Sequence, residues 1–170
     1  MPNLIILSGL PGSGKTTFGQ ALLNHRPNIH LISSDIVRLA LNPHPTYTVA
    51  ESEEVFRRVH AKVSYLLSVG FDVVVDATNT RMKNINPLIT IAKHLGAGLY
   101  VVCVEAPKEE RVQRILKRTY PEPHGTIKAS EKMEKYIDLD PEVVSLWLDG
   151  TQPVEELVSL VQGVVNFNHE

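Results

Sequence analysis

A single cysteine, Cys103, stands in the 170 residues, so no internal disulfide framework can hold this chain together, and a reducing, cytoplasmic setting is expected. No apolar run approaches the roughly 20 residues needed to span a bilayer. The apolar stretch Leu4 to Leu7 has no basic segment before it and no cleavage-type site after it, so it reads as a strand, not a signal peptide. Low-complexity tracts are missing, and 43% hydrophobic with 21% charged residues is the composition of a globular protein. Net charge of one sign is missing too: the formal charge is −2, which excludes a general nucleic-acid sponge. The seven histidines have no metal-ligand spacing. G-x-S-x-G, G-x-G-x-x-G with its downstream acid, and Asn-Lys-x-Asp are all absent.

What charge there is lies unevenly. Between Lys108 and Arg118 five basic residues face two acids, whereas Ser130 to Glu170 holds nine acids and two lysines. A local basic segment on a neutral body suits a small anionic target, a polyphosphate or a strand end, better than a long duplex.

Along the chain, short apolar runs alternate with helical patterns. Strands are expected near Asn3–Leu7, His30–Ile32, Val73–Val75, Leu99–Val104 and Val144–Leu148. Helices are expected from Lys15 to a stop at Arg26-Pro27, over Asp35–Leu41, from Thr48 to Gly70, and over 84–95, 108–118, 130–136 and 153–161. Thr48 and Glu51 have capping-box spacing, followed by an apolar stripe of Phe56, Val59, Val63, Leu66 and Leu67. The pattern predicts an α/β chain forming one domain over 1–170, a mostly parallel sheet of about five strands with helices on both faces. Phe18 and Trp147 are expected in its core.

Gly9-Leu10-Pro11-Gly12-Ser13-Gly14-Lys15-Thr16 matches G-x-x-x-x-G-K-[ST] at every fixed position, after a strand and before a helix. Glycines let successive backbone N–H groups turn inward around an anion. The helix start directs its positive end at the same point. Gly9, Gly12, Ser13, Gly14, Lys15, Thr16 and Thr17 are therefore the expected phosphate-binding set, with Lys15 on the β- and γ-phosphates of ATP and Thr16 on Mg²⁺.

Further candidates sit where strands end, the rim on which ligands bind in parallel sheets. Asp35 can take a proton from an attacking hydroxyl, with Arg38 one helical turn on as acceptor contact. Serving as a helix cap is the plainer role for Asp35. Asp76 closes an apolar strand in the manner of a Walker-B carboxylate and is the second candidate for Mg²⁺. Thr78 and Asn79 follow it. Arg111, Arg114 and Arg118 share one helix face in an expected lid over about 108–137, with Arg114 and Arg118 the candidates for gripping phosphates. Pro121, Pro123 and Gly125 predict a non-helical continuation.

Together these residues resemble the P-loop kinase family typified by polynucleotide 5′-hydroxyl kinase: Gly-Leu-Pro-Gly-Ser-Gly-Lys-Thr-Thr at 9–17, Ser-Ser-Asp-x-x-Arg at 33–38, Asp-Ala-Thr-Asn at 76–79 and Arg-x-x-x-Arg at 114–118. The resemblance implies a P-loop fold, ATP with Mg²⁺ handled by Lys15 and Thr16, Asp35 as general base, Arg38 on the acceptor, and lid arginines, Arg118 among them as a catalytic group. Asp-x-x-Arg is similar to the acceptor motif of zeta-toxin-like and nucleoside-monophosphate-type kinases as well. This chain reads Thr80-Arg81-Met82-Lys83-Asn84 where such proteins often carry an arginine, and it leaves no room for the phosphatase or ligase domains that accompany many polynucleotide kinases. Transfer of the γ-phosphoryl of ATP to a nucleic-acid 5′-hydroxyl is the leading expectation. A small metabolite, nucleotide-sugar or antibiotic as acceptor, and a nucleotide-hydrolysing switch, are the alternatives. No membrane and no obligate protein partner is expected.

Overall fold

The computed structural model describes residues 1–26, 28–119 and 123–167. Five parallel strands, β1 (Asn3–Ser8), β2 (Ile29–Ser33), β3 (Asp72–Asp76), β4 (Gly98–Glu105) and β5 (Leu146–Asp149), form one sheet in the order β2-β3-β1-β4-β5. β1 is central and pairs with β3 and β4 on either side, Leu7 opposite both Asp76 and Val102. A strand buried on both faces must be apolar at every position, which is why the run from Leu4 to Leu7 does not alternate. Leu4 and Ile6 face one core with Val73, Val75 and the helices α3 (Val49–Ser68) and α4 (Met82–Leu95). Ile5 and Leu7 face the other, with Phe18 and Leu22 of α1 (Lys15–His25) and Leu157, Val158 and Val161 of α7 (Val154–Val164). Phe18 is wholly buried, and truncating such a ring costs about 3–5 kcal/mol.

The described residues also form three further α-helices, α2 (Ser34–Leu41), α5 (Lys108–Leu116) and α6 (Pro123–Glu134), and a 3-10 turn over Pro141–Val143. Each expected strand and helix is present, most with ends moved by one to three residues, but the helix expected over 130–136 starts at Pro123, and the one expected over 108–118 stops at Leu116 and leaves Arg118 outside it. The α3 stripe is carried by Val55, Val59, Val63, Leu66 and Leu67, while Phe56 is half-buried beside His60. Two expectations are corrected. Pro123 opens α6 instead of prolonging a loop, since a proline at the first helical position loses no hydrogen bond. Pro121 and the stop residue Pro27 lie outside the described residues. Trp147 is 48% exposed. It lies on the edge strand β5, where Leu148 turns into the α1–α7 core and leaves Trp147 to the other face.

No helix among the described residues is long and apolar enough to cross a membrane.

Candidate active site

The loop leaving β1 is shaped by glycine. Gly9, Gly12 and Gly14 have φ of 146°, 83° and 108°, where side chains are disfavoured. A Cβ on Gly9 would strike the Val104 carbonyl, and one on Gly12 would come within 2.6 Å of the Arg111 carbonyl. The loop is pinned from beneath by Asp-Ala-Thr-Asn. The Gly9 N–H donates to Thr78 O (3.0 Å), Ser8 Oγ to Asn79 O (2.8 Å), and Asn79 Nδ2 to Leu7 O (2.9 Å). Asn79 is fully buried at φ 45°, so this residue braces the loop from below.

Helix α1 starts at Lys15 with left-handed Gly14 as N-cap and no side-chain cap, which leaves its first N–H groups for an anion. Lys15 Nζ donates to Leu10 O at 3.0 Å, and the side chain is almost enclosed. Burial pushes its ammonium down to about 8, with Asp76 and Asp35 pulling upward and Arg118 adding to the depression. Thr16 Oγ1 donates to Asp76 Oδ2 at 2.7 Å. Burial raises the Asp76 carboxyl above its usual range, opposed by that hydrogen bond and by Lys15. A hydroxyl and a buried carboxylate side by side, next to a phosphate cradle, are the donor set that suits Mg²⁺ carried in with a nucleotide. Among the described residues no cluster of three His, Cys, Asp or Glu could hold a metal by itself.

One cleft of about 400 Å³ brings these groups to the acceptor candidates, its wall including Gly14, Lys15, Thr16, Asp35, Asp76 and Arg118. Asp35 lies in the first turn of α2, exposed. The N-cap is Ser33, which makes no side-chain capping bond. Asp35 stands within electrostatic reach of both Lys15 and Asp76. Arg38 is placed differently from the acceptor-facing role that the resemblance implied. It is 7% exposed, its guanidinium is ion-paired with Glu51 at 2.9 Å, and the Tyr47 ring covers it at 4.8 Å.

The three lid arginines separate. Arg118 reaches the cleft. Arg114 stitches the loop from outside, donating to Ser13 O (3.3 Å), Gly12 O (3.4 Å) and Gly150 O (2.9 Å). Arg111 is buried and holds α5 to α6 through Ser130 Oγ (3.0 Å) and Glu134 (2.8 Å). Arg81 N-caps α4 with its Nε buried and unpartnered. A larger cavity of about 770 Å³ lies behind the loop, between Thr80, Cys103, Ile137 and Trp147. It contains neither Lys15, Thr16, Asp35 nor Asp76, so the chemistry belongs to the smaller cleft.

Sequence reasoning passed over Tyr47 and Met133, both on the cleft wall. The signal for Tyr47 was the capping-box spacing, whose acid has another use here. Thr48 Oγ1 does accept from Glu51 N, but the Glu51 carboxylate accepts from Tyr47 N (2.7 Å) and Thr46 N (3.1 Å). It thereby fixes Tyr47 at φ 54°.

A nucleotide-phosphate cradle at the end of a central parallel strand, with a hydroxyl–carboxylate pair and a lid arginine, defines a P-loop domain of the kinase type. A family model described as AAA domain (AAA_33) matches residues 4–139, and the chain belongs to that family. It is 28% identical over 129 residues to L-seryl-tRNA(Sec) kinase of Methanococcus maripaludis, which covers 74% of this chain and 49% of that protein. The chain thus spans about half the length of that curated relative. Among solved structures, the Mycobacterium tuberculosis APS kinase CysC in complex with AMPPNP and APS superposes with a TM-score of 0.74 at 18% identity, over 96% of each chain. A chain of the Pnkp1/Rnl/Hen1 complex superposes with a TM-score of 0.61 at 28% identity, over 71% of this chain and 42% of that one.

Proposed function

We propose that this chain transfers the γ-phosphoryl group of ATP to a hydroxyl, and that the hydroxyl is the 5′ end of a polynucleotide. The observation that carries the reading is the position of Asp35 on the same 400 Å³ cleft as Lys15, Thr16, Asp76 and Arg118. A switch or motor needs only the phosphate half of that cleft. An exposed carboxylate on the same cleft, within electrostatic reach of Lys15, serves an acceptor hydroxyl.

The reading gives each residue a role that the geometry supports. Backbone N–H groups of the loop and Lys15 hold the β- and γ-phosphates. Thr16 and Asp76 would hold Mg²⁺, which neutralises charge on the transferring group when bound. Asp35 accepts the proton of the acceptor hydroxyl as its oxygen bonds to γ-phosphorus. The bond from γ-phosphorus to the bridging oxygen breaks, and ADP leaves with that electron pair. Arg118 stabilises charge on the γ-oxygens. The acceptor assignment draws on the two relatives at 28% identity, one a seryl-tRNA kinase and the other from an assembly that includes Pnkp1.

The test is label transfer from γ-labelled ATP to 5′-hydroxyl oligonucleotides of several lengths at two salt concentrations. Short strands should serve nearly as well as long ones. The salt slope should be shallow, about −0.7 per phosphate contact. Labelling of a free nucleoside or sugar with no labelling of any strand would falsify the polynucleotide assignment. ADP release that no acceptor stimulates would overturn phosphotransfer itself.

A further inference from the structure

We infer that the cavity behind the phosphate loop is a second ligand site, separate from the phosphotransfer cleft, and that it takes a small organic cation with a flat apolar body. None of the groups assigned to phosphotransfer lines it, so this ligand is additional to ATP and the acceptor.

The loop is the partition between two hollows. Gly9, Leu10 and Ser13 line the cavity, Pro11, Gly12, Gly14 and Lys15 line the cleft, and no described residue belongs to both walls. The cavity holds about 770 Å³ against about 400 Å³ for the cleft, a volume that suits a small organic molecule. Its place follows from the alternation of the strands. Helices α3 and α4 cover one face of the sheet over Leu4, Ile6 and Val101. At the carboxyl ends of β1, β4 and β5 the same face continues through Ser8, Cys103 and Trp147, and these meet the cavity instead. Trp147 and Ile137 are thereby left 48% and 47% exposed on its wall. Ser13 Oγ, on that wall, is buried without a hydrogen-bond partner among the described residues, an acceptor that an N–H donor in the cavity would satisfy.

Charge gives the sign of the occupant. Glu105, Glu134 and Asp149 line the cavity with a single guanidinium, Arg111, which is already paired with Glu134 at 2.8 Å. Hydrogen bonds from Thr151 hold the Asp149 carboxyl below its usual range. Glu105 is exposed, and burial together with its charge pushes the Cys103 thiol up to about 11, against the Ser8 hydroxyl and the Lys15 charge. Lys15, Lys108 and Arg114 act on this set from outside the wall, each held by other groups: Leu10 O, Glu131, and Glu110 with the loop carbonyls. An ammonium answers the surplus of carboxylates, and a flat apolar body covers the indole, where a cation over the ring is favoured as well.

The test uses two probes of like size and opposite charge, phenethylamine and 3-phenylpropionate. Trp147 is the only tryptophan of the chain, so in the labelled whole chain one indole N–H signal reports this wall. The amine should shift that signal saturably, with half-saturation at about 1 mM or below, and should still do so with saturating AMPPNP. The carboxylate should bind at least about tenfold more weakly. Glu105→Gln, a change at an exposed position, should cut that preference to about threefold or less. Trp147→Leu, followed through saturation transfer to the amine's own signals, should weaken the amine by about threefold. No saturable shift up to about 10 mM overturns the assignment, as does a carboxylate that binds as well as the amine. Loss of the shift in AMPPNP places the probe in the cleft and overturns it too. A preference unmoved in folded Glu105→Gln removes the charge complementarity on which the ligand class stands.

Discussion

Thr16 Oγ1 and Asp76 Oδ2 lie 2.7 Å apart, joining the first turn of α1 to the end of β3 across 60 positions of sequence. β1 and β3 pair with Leu7 opposite Asp76, so the sheet register sets this approach. If the two side chains hold one ion together, Thr16→Ala and Asp76→Asn should each raise the Mg²⁺ concentration for half-maximal transfer by about 10–100-fold. The double variant should be little worse than the poorer single one, because the pair acts as a unit. Mg²⁺ titrations of the three variants check this, and strictly additive losses would show that the two side chains act separately.

Lys15 supplies a pH dependence of two opposite signs. Burial lowers its ammonium to about 8, whereas the unfolded chain keeps the ordinary 10.5. Between those values the unfolded state binds more protons, so this group makes stability rise with pH across the window. Phosphate binding needs the proton, so ATP affinity should fall above pH 8, approaching about tenfold per pH unit. Nucleotide titrations and melting temperatures over pH 7–10 should therefore diverge, and Lys15→Ala should abolish both trends together with transfer.

The strands and the phosphate loop were legible because both are local patterns. Buried parallel strands need unbroken apolar runs, and the loop needs its glycines at fixed spacing. What was not legible is which way long side chains turn. Arg111 and Arg114 both stand on α5 yet serve a helix–helix clamp and a loop brace, while Arg118 lies past the C-cap Lys117, off the expected common helix face, and lines the cleft. Glu51 has the spacing of a capping box, yet its carboxylate goes to Arg38 and to the N–H groups of Thr46 and Tyr47. Such choices depend on neighbours from distant segments, which periodicity does not record. Trp147 was misplaced for a related reason, since no local signal marks β5 as the sheet edge.

The lid arginines give a prediction that spacing alone could not. Arg118 lines the cleft, where its charge acts on Lys15 and Asp76, so Arg118→Ala should change the melting temperature little and lower kcat by about 10³-fold. Arg114 serves the carbonyls of Gly12, Ser13 and Gly150 at once, which a lysine's single ammonium cannot reproduce. Arg114→Lys should lower both melting temperature and nucleotide affinity. Melting curves beside ATP titrations separate the two, and equal thermal losses would mean that the lid arginines share one role.

Asp35 carries the proposed chemistry, and capping is its rival role. In the structure the N-cap of α2 is Ser33, and Asp35 stands in the first turn, where a carboxylate favours the helix through its dipole whatever the chemistry. Asp35→Asn removes the base and the charge while keeping the shape. It should leave ATP affinity near wild type, because Lys15 and the loop amides do that binding. The transfer rate should fall by about 10²–10⁴-fold, the span for losing a general base. Any helix effect should stay within about 1 kcal/mol, too little to unfold the chain. The useful comparison is Asp35→Asn against Asp35→Ala in both assays. A base predicts equal and large losses of rate in the two variants with small thermal shifts. A helix-stabilising residue predicts near-normal rates with a thermal loss in both, and that outcome would remove Asp35 from the mechanism.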